Sequence, residues 1–268
     1  MLIVTPESEF LLCDSQTPAE FVYVGQDAAT GCSITQGPTS WRQPSFLATM
    51  PIFGPDEVIV MGSPEATGLT RAAWRRTILH EHFHQWQSQL PDHYNRAVAL
   101  DLSDGDESGM WMIQYPFPYR DPAVGAAYRA AADALLLALG STDKALPAAV
   151  RTYLVKRDAF ASAAGERNWR YFEFQLWKEG VARWTEIELG RRAGSEWSAQ
   201  AQAYWLEQLA SLRSGSLPEL ERTSVYAFGA AEAALLERID PDWRGCYRVS
   251  LQLGDCWESL GMSRSPDA

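Results

Sequence analysis

The sequence predicts an α+β protein, with a small N-terminal β-sheet followed by a mainly α-helical region. Three observations predict it. Residues 1–65 hold short apolar runs bounded by Gly and Pro, the pattern of strands and tight turns. From about residue 70 the apolar spacing changes to the helical period. No internal repeat, low-complexity tract or linker interrupts the 268 residues. The reading is therefore one domain over 1–268, mainly β over 1–65 and mainly α over 66–268.

Taken in order, "EFVYVG" (20–25), "SFLATMPIF" (45–53) and "EVIVMG" (57–62) are rich in β-branched or aromatic residues and are the predicted strands. Thr70 is placed to cap a helix that Pro91 ends. Within that helix Leu79, Phe83, Trp86 and Leu90 recur at helical spacing as an apolar stripe. "DLSDGDESG" (101–109) is acidic, but its acids miss the EF-hand positions, so it reads as a solvated loop. "MWMIQYPFPYR" (110–120) is aromatic and broken by proline, and reads as an irregular loop. Helices are predicted over 123–139, 145–164, 168–190, 195–213 and 224–239, and the tail "CYRVSLQLGDCWESLG" fits strand or helix.

Composition narrows the function classes. Apolar residues make up 46% and charged residues 21%, the balance of a globular core with a polar surface. Eleven tryptophans are read mainly as core packing. A net charge of -11 argues against nucleic acid and against anionic membranes as partners. No run approaches the roughly 20 apolar residues of a bilayer span, so no transmembrane segment is expected. The start "MLIVTPESEF" lacks the basic and apolar regions of a signal peptide, which gives a cytoplasmic expectation. The alternative is an exported protein, its signal removed, in which Cys13, Cys32, Cys246 and Cys256 form two disulfides. The cysteines are read here as buried thiols, and none has the Cys-x-x-Cys spacing of a zinc knuckle. Oligomeric state is left open.

The histidines carry the chemistry. Three of the four lie in "ILHEHFHQWQ" (78–87), and His93 follows just beyond. The stretch contains His-Glu-x-x-His. Helical residues turn about 100° each, so positions four apart return to one face. His80 and His84 can therefore share one zinc ion. Glu81, beside His80, is placed to reach a water on that metal, whereas His82 points to the other side and is not counted as a ligand. Zinc held by three protein groups keeps a position for water, acidifies it and polarises a carbonyl. Glu81 then acts as the general base, taking the proton and passing it to the leaving group.

His80-Glu81-His82-Phe83-His84 resembles the active-site helix of the zincin metallopeptidases. In the gluzincin branch a glutamate from a later helix is the third ligand, often in a Glu-Gly-x-Ala phrase followed by an aromatic. "WKEGVARWTEIEL" (177–189) is similar, which implies Glu179 as third ligand. The resemblance implies a zincin-like fold and a zinc-dependent hydrolase, most directly a metallopeptidase acting on peptide or protein substrates. It covers the metal helix, the glutamate helix and the approach strand, and says little of residues 92–165 or the tail.

Two departures matter. The interval from His84 to Glu179 is far longer than in thermolysin-like or aminopeptidase-like proteins, so a helical insertion lies between them. Where the thermolysin-like pattern has an aspartate four residues after the glutamate, this chain has Arg183. Glu186 is the substitute for orienting a ligand histidine, and Arg183 is a candidate for holding a substrate carboxylate. The late segment "SVYAFGAAEAALLERI" (224–239) resembles the family helix in which a tyrosine precedes a glycine. That implies Tyr226 as the oxyanion donor, with Gly229 allowing close approach and His93 as the alternative donor.

Position on the helix also favours Glu179. Phe172, Leu176, Glu179, Ala182 and Glu186 follow helical spacing, so Glu179 continues an inward stripe. A buried carboxylate needs a partner. Gly180 and Ala182 are small enough for close approach to the histidine helix, and Glu173 is expected to point away. The competing local arrangement is an intrahelical Glu179–Arg183 pair. Two other function classes stay open. One is a non-catalytic binding or interaction protein on the same fold, against which the intact Glu81 speaks, because structural zinc needs no base. The other is a metal-free helical protein.

Overall fold

The structure is a computed structural model that describes residues 1–13 and 17–262. The chain divides into two compact units, Met1–Gln89 and Leu90–Ala268.

The first unit is built on a six-stranded mixed sheet in the order β3-β4-β2-β1-β6-β5. Its strands are β1 (Leu2–Val4), β2 (Glu9–Leu12), β3 (Val22–Gln26), β4 (Ser33–Gly37), β5 (Leu47–Pro51) and β6 (Glu57–Gly62). β1 and β6 pair in parallel, with Leu2 opposite Val60, and the other pairings are antiparallel. Side chains alternate across a strand, so Leu2 and Val4, Leu11, and Val58 and Val60 fall on buried sites and form a core with Phe21. The three expected strands are present. β1, β2 and β4 were not expected: β1 and β2 are too short, at three and four residues, to show a period, and "SITQG" in β4 holds too few apolar residues.

Two helices complete the unit, α1 (Pro64–Thr67) and α2 (Arg71–Ser88). Thr70 caps α2 as expected, accepting the Ala73 N–H at 3.2 Å. Trp74 Nε1 donates to the Gly62 carbonyl at 2.7 Å, and Gln85 Nε2 to that of Glu57 at 2.8 Å, which fix α2 to β6. The buried residues of α2 are His80, Glu81, His84 and Gln87, while Leu79, Phe83 and Trp86 are only partly buried. Of the expected apolar stripe only Leu90, just beyond the helix, is buried.

The second unit is helical. It contains α3 (His93–Ala99), α4 (Trp111–Gln114), α5 (Pro122–Leu139), α6 (Leu146–Ala164) and α7 (Glu166–Gln175). A π-helical turn, Leu176–Gly180, leads into α8 (Val181–Arg192) and α9 (Ser195–Ser214). After α10 (Leu217–Leu220) and a 3-10 turn, Glu221–Thr223, come α11 (Ser224–Ile239), α12 (Arg244–Val249) and α13 (Asp255–Ser259). The loop expected over 110–120 begins with one helical turn, α4, and the ambiguous tail is helical where it is regular. The single helix expected over 168–190 is instead α7 and α8 joined by the π turn. Tyr128, Phe160, Phe172 and Phe228 form an aromatic core. Trp169, Trp177, Trp184, Trp243 and Trp257 are buried, as the packing reading expects, whereas Trp41 is exposed. α5 is long and apolar enough to cross a membrane by length and composition. Its inner face, Tyr128, Ala131, Ala132, Leu135 and Ala138, is fully buried, as in a core helix.

The cysteines are not thiols. Cys13 pairs with Cys32 and Cys246 with Cys256, at Cα separations of 4.8 and 5.4 Å, within the range a disulfide spans. The first bridge ties the end of β2 to the start of β4, and the second ties α12 to α13.

Candidate metal centre

α2 brings His80 and His84 together as its period dictates. Their Nε2 atoms are 3.1 Å apart and both residues are buried. Two facing nitrogens at that distance have room for one proton between them. His84 Nδ1 lies 2.6 Å from Gln87 Oε1. An amide oxygen only accepts, so Nδ1 carries the hydrogen and Nε2 of His84 presents its lone pair toward His80. This is the tautomer a metal-ligating imidazole requires, with the other ring nitrogen held by a hydrogen bond. Glu81 is also buried. Thr49 of β5 directs its hydroxyl at the carboxylate Oε2, at 2.8 Å, and at the Glu81 carbonyl, at 2.9 Å. His82 is exposed and meets only Gln85 among the described residues, at 3.1 Å.

In the helical unit Glu179 is buried within the π turn. That turn adds a residue to one helical cycle and shifts the stripe that even spacing implies through Leu176 and Glu179. Arg222 Nη1 lies 3.4 Å from Glu179 Oε1. Gly180 makes a close approach, but to α11: a Cβ there would lie 2.4 Å from the Gly229 Cα. Glu186 is buried and bound to Arg183 Nη1 at 2.8 Å, where the competing arrangement weighed from the sequence paired Arg183 with Glu179. Arg183 also lies over the rings of Tyr204, at 5.1 Å, and Tyr226, at 4.9 Å. Glu173, expected to point away from that stripe, is buried and paired with Arg157.

Tyr226 shares Arg222 with Glu179, its hydroxyl accepting from Nη2 at 3.2 Å. Burial pushes its phenol above the usual range, and the Glu179 charge adds to that. His93 opens α3 and stacks on Trp177 at 5.6 Å. Burial holds it down to about 4, with Lys178 and Arg96 adding to the shift, so it is neutral at neutral pH. Thr49, Gln87, Gln175 and Arg222 were not singled out from the sequence. Gln87 alone had a local signal, three residues after His84 on the same helical face.

No family model, characterised protein or solved structure matches this chain.

Proposed function

We propose that the protein is a zinc-dependent hydrolase on a zincin-like fold of the gluzincin type, most directly a metallopeptidase. The observation that carries this reading is the pair of buried imidazoles, Nε2 to Nε2 at 3.1 Å, with the Glu81 carboxylate buried beside them. The tautomer set by Gln87 makes His84 a lone-pair donor at Nε2. Glu179 is the proposed third ligand. All three are buried, and each offers one ligand atom, two nitrogens and one oxygen, which is a donor set suited to zinc. Zinc, when bound, supplies a Lewis acid that polarises a carbonyl and acidifies a water.

The chain's own residues do the rest. Glu81 accepts a proton at its carboxylate and delivers it to the departing amine. Thr49 holds that carboxylate in one orientation through Oε2. Tyr226 is the proposed hydrogen-bond donor to the developing oxyanion. The two disulfides favour the exported alternative over a cytoplasmic protein, since such bonds persist in oxidising compartments.

Elemental analysis together with a peptide-pool assay tests the reading. Protein dialysed against a weak chelator should retain about one zinc per chain. Glu81→Gln should keep that zinc and lose about two to four orders of magnitude in turnover. A zinc content near zero that His84→Ala does not change would end the metal reading. A Glu81→Gln variant as fast as wild type would end the mechanism.

A further inference from the structure

We infer that Arg222 recognises a free carboxylate on the substrate, so that the enzyme releases residues from the C-terminal end of peptides. This rests on the hydrolase reading and names the substrate class of the same site.

Arg222 lies in the 3-10 turn between α10 and α11, directly after Glu221. Glu221 has φ 44° and ψ −130°, a backbone region that disfavours any residue with a Cβ. Such strain persists where surrounding contacts hold it. Three contacts then fix the guanidinium. Nη1 donates to Gln175 Oε1 at 3.0 Å and to Glu179 Oε1 at 3.4 Å, and Nη2 donates to Tyr226 Oη at 3.2 Å. Nε makes no bond among the described residues, and Nη2 makes one, to Tyr226. These two donors belong to one edge of the guanidinium, the edge that takes a carboxylate in a paired, two-bond geometry. A quarter of the side chain is exposed, so that edge can be reached.

Charge points the same way. The carboxylate facing Arg222 is Glu179, and the contact of 3.4 Å is longer than a close ion pair. If Glu179 gives its charge to a metal, as proposed, Arg222 loses the compensation of that carboxylate, and an incoming anion offsets it. The other guanidinium against Tyr226, that of Arg183, gives Nη1 to Glu186 and lies over two aromatic rings, and its remaining Nε is buried out of reach. Arg183, the candidate read from sequence, therefore gives way to Arg222. The reaction is ordinary hydrolysis: a C–O bond forms from water, the C–N bond breaks, and the amine leaves with the proton carried by Glu81.

The test uses zinc-loaded full-length Glu81→Gln protein, so that turnover does not blur binding. Calorimetry compares an N-acylated dipeptide with a free C-terminus and the same compound as its C-terminal amide. The acid should bind about tenfold or more tightly, the scale of a hydrogen-bonded charge. Adding Arg222→Gln should bring the ratio close to one, Arg222→Lys should keep part of it, and zinc content should not change in either. Equal binding of acid and amide overturns the assignment, and so does a preference that survives Arg222→Gln. Loss of zinc in both Arg222 variants also overturns it, because Arg222 would then act only by holding Glu179. These readouts need no catalysis: a wild-type protein that cleaves no peptide yet shows the acid preference counts against the hydrolase reading alone.

Discussion

The two units each bury a polar cluster, and the clusters are built on opposite principles. In the helical unit Arg157 of α6 binds Glu173 of α7 through Nη2 and Glu232 of α11 through Nε, the latter at 2.7 Å. Trp257 Nε1 donates to Glu232 at 2.6 Å, and the Gly254 N–H donates to Glu173 at 2.6 Å. A Cβ on Gly254 would lie 2.8 Å from Arg157 Nη1, so only glycine lets the backbone come this near. The cluster carries its own counterion. One carboxylate is in excess, and the surroundings answer by raising the pKa of Glu173, through burial and the Glu232 charge, against the pull of Arg157. On α2 the paired groups are alike, two imidazoles facing each other through the same atom. A cluster that supplies both signs of charge is accounted for as structure. A pair of like imidazoles, with the lone pair of His84 aimed at His80, has the chemistry of a ligand set, which is why the functional proposal rests there and not on the larger ion cluster.

The comparison can be broken most severely at Arg157. Arg157→Ala leaves two buried carboxylates without their cation and should cost about 3–5 kcal/mol in denaturant unfolding. A loss below about 1 kcal/mol, the scale of an exposed pair, would mean that the cluster is not the closed structural unit described. The next effect belongs to α2. Zinc at about a hundred times its dissociation constant should stabilise the protein by about 2.7 kcal/mol. His84→Ala should abolish that gain, and Arg157→Ala should leave it in whatever fraction folds. A zinc-induced shift that persists in His84→Ala would place the metal elsewhere.

The smallest effect is a pH slope of opposite sign in the two clusters. Glu173 holds its proton more tightly in the folded state than its ordinary 4.5. Its contribution is therefore complete at pH below that value and is lost as pH rises toward the raised one, by at most about 1.4 kcal/mol per pH unit. Zinc stabilisation runs the other way, growing with pH because imidazole must be neutral to bind metal. Metal-free protein should lose stability as pH rises out of the carboxylate range, and Glu173→Gln should flatten that slope. An unchanged slope in the variant would assign it to another group.

What the sequence determined by itself is what a few neighbouring residues decide. Thr70 caps α2 because its hydroxyl reaches a donor three residues away, and His80 and His84 meet because a helix turns once in about four residues. The bounds of α11 and β6 follow the same local logic, and both were legible in advance. Tertiary structure decided the partners of buried charge. Arg222 meets Glu179 across 43 positions and Arg157 meets Glu232 across 75, separations at which spacing carries no signal. Glu173 lies off the apolar stripe of its own helix and is still buried, because Arg157 comes to it from α6. The π turn at Leu176–Gly180 broke a stripe that even spacing had drawn straight through Glu179. The inner face of α2 became polar although Leu79, Phe83 and Trp86 mark an apolar one. Helix and strand periods follow from backbone geometry, which every stretch of chain carries within itself. The choice of which polar group is buried depends on what long-range packing sets against it, because an unpartnered buried charge costs more than any local preference returns.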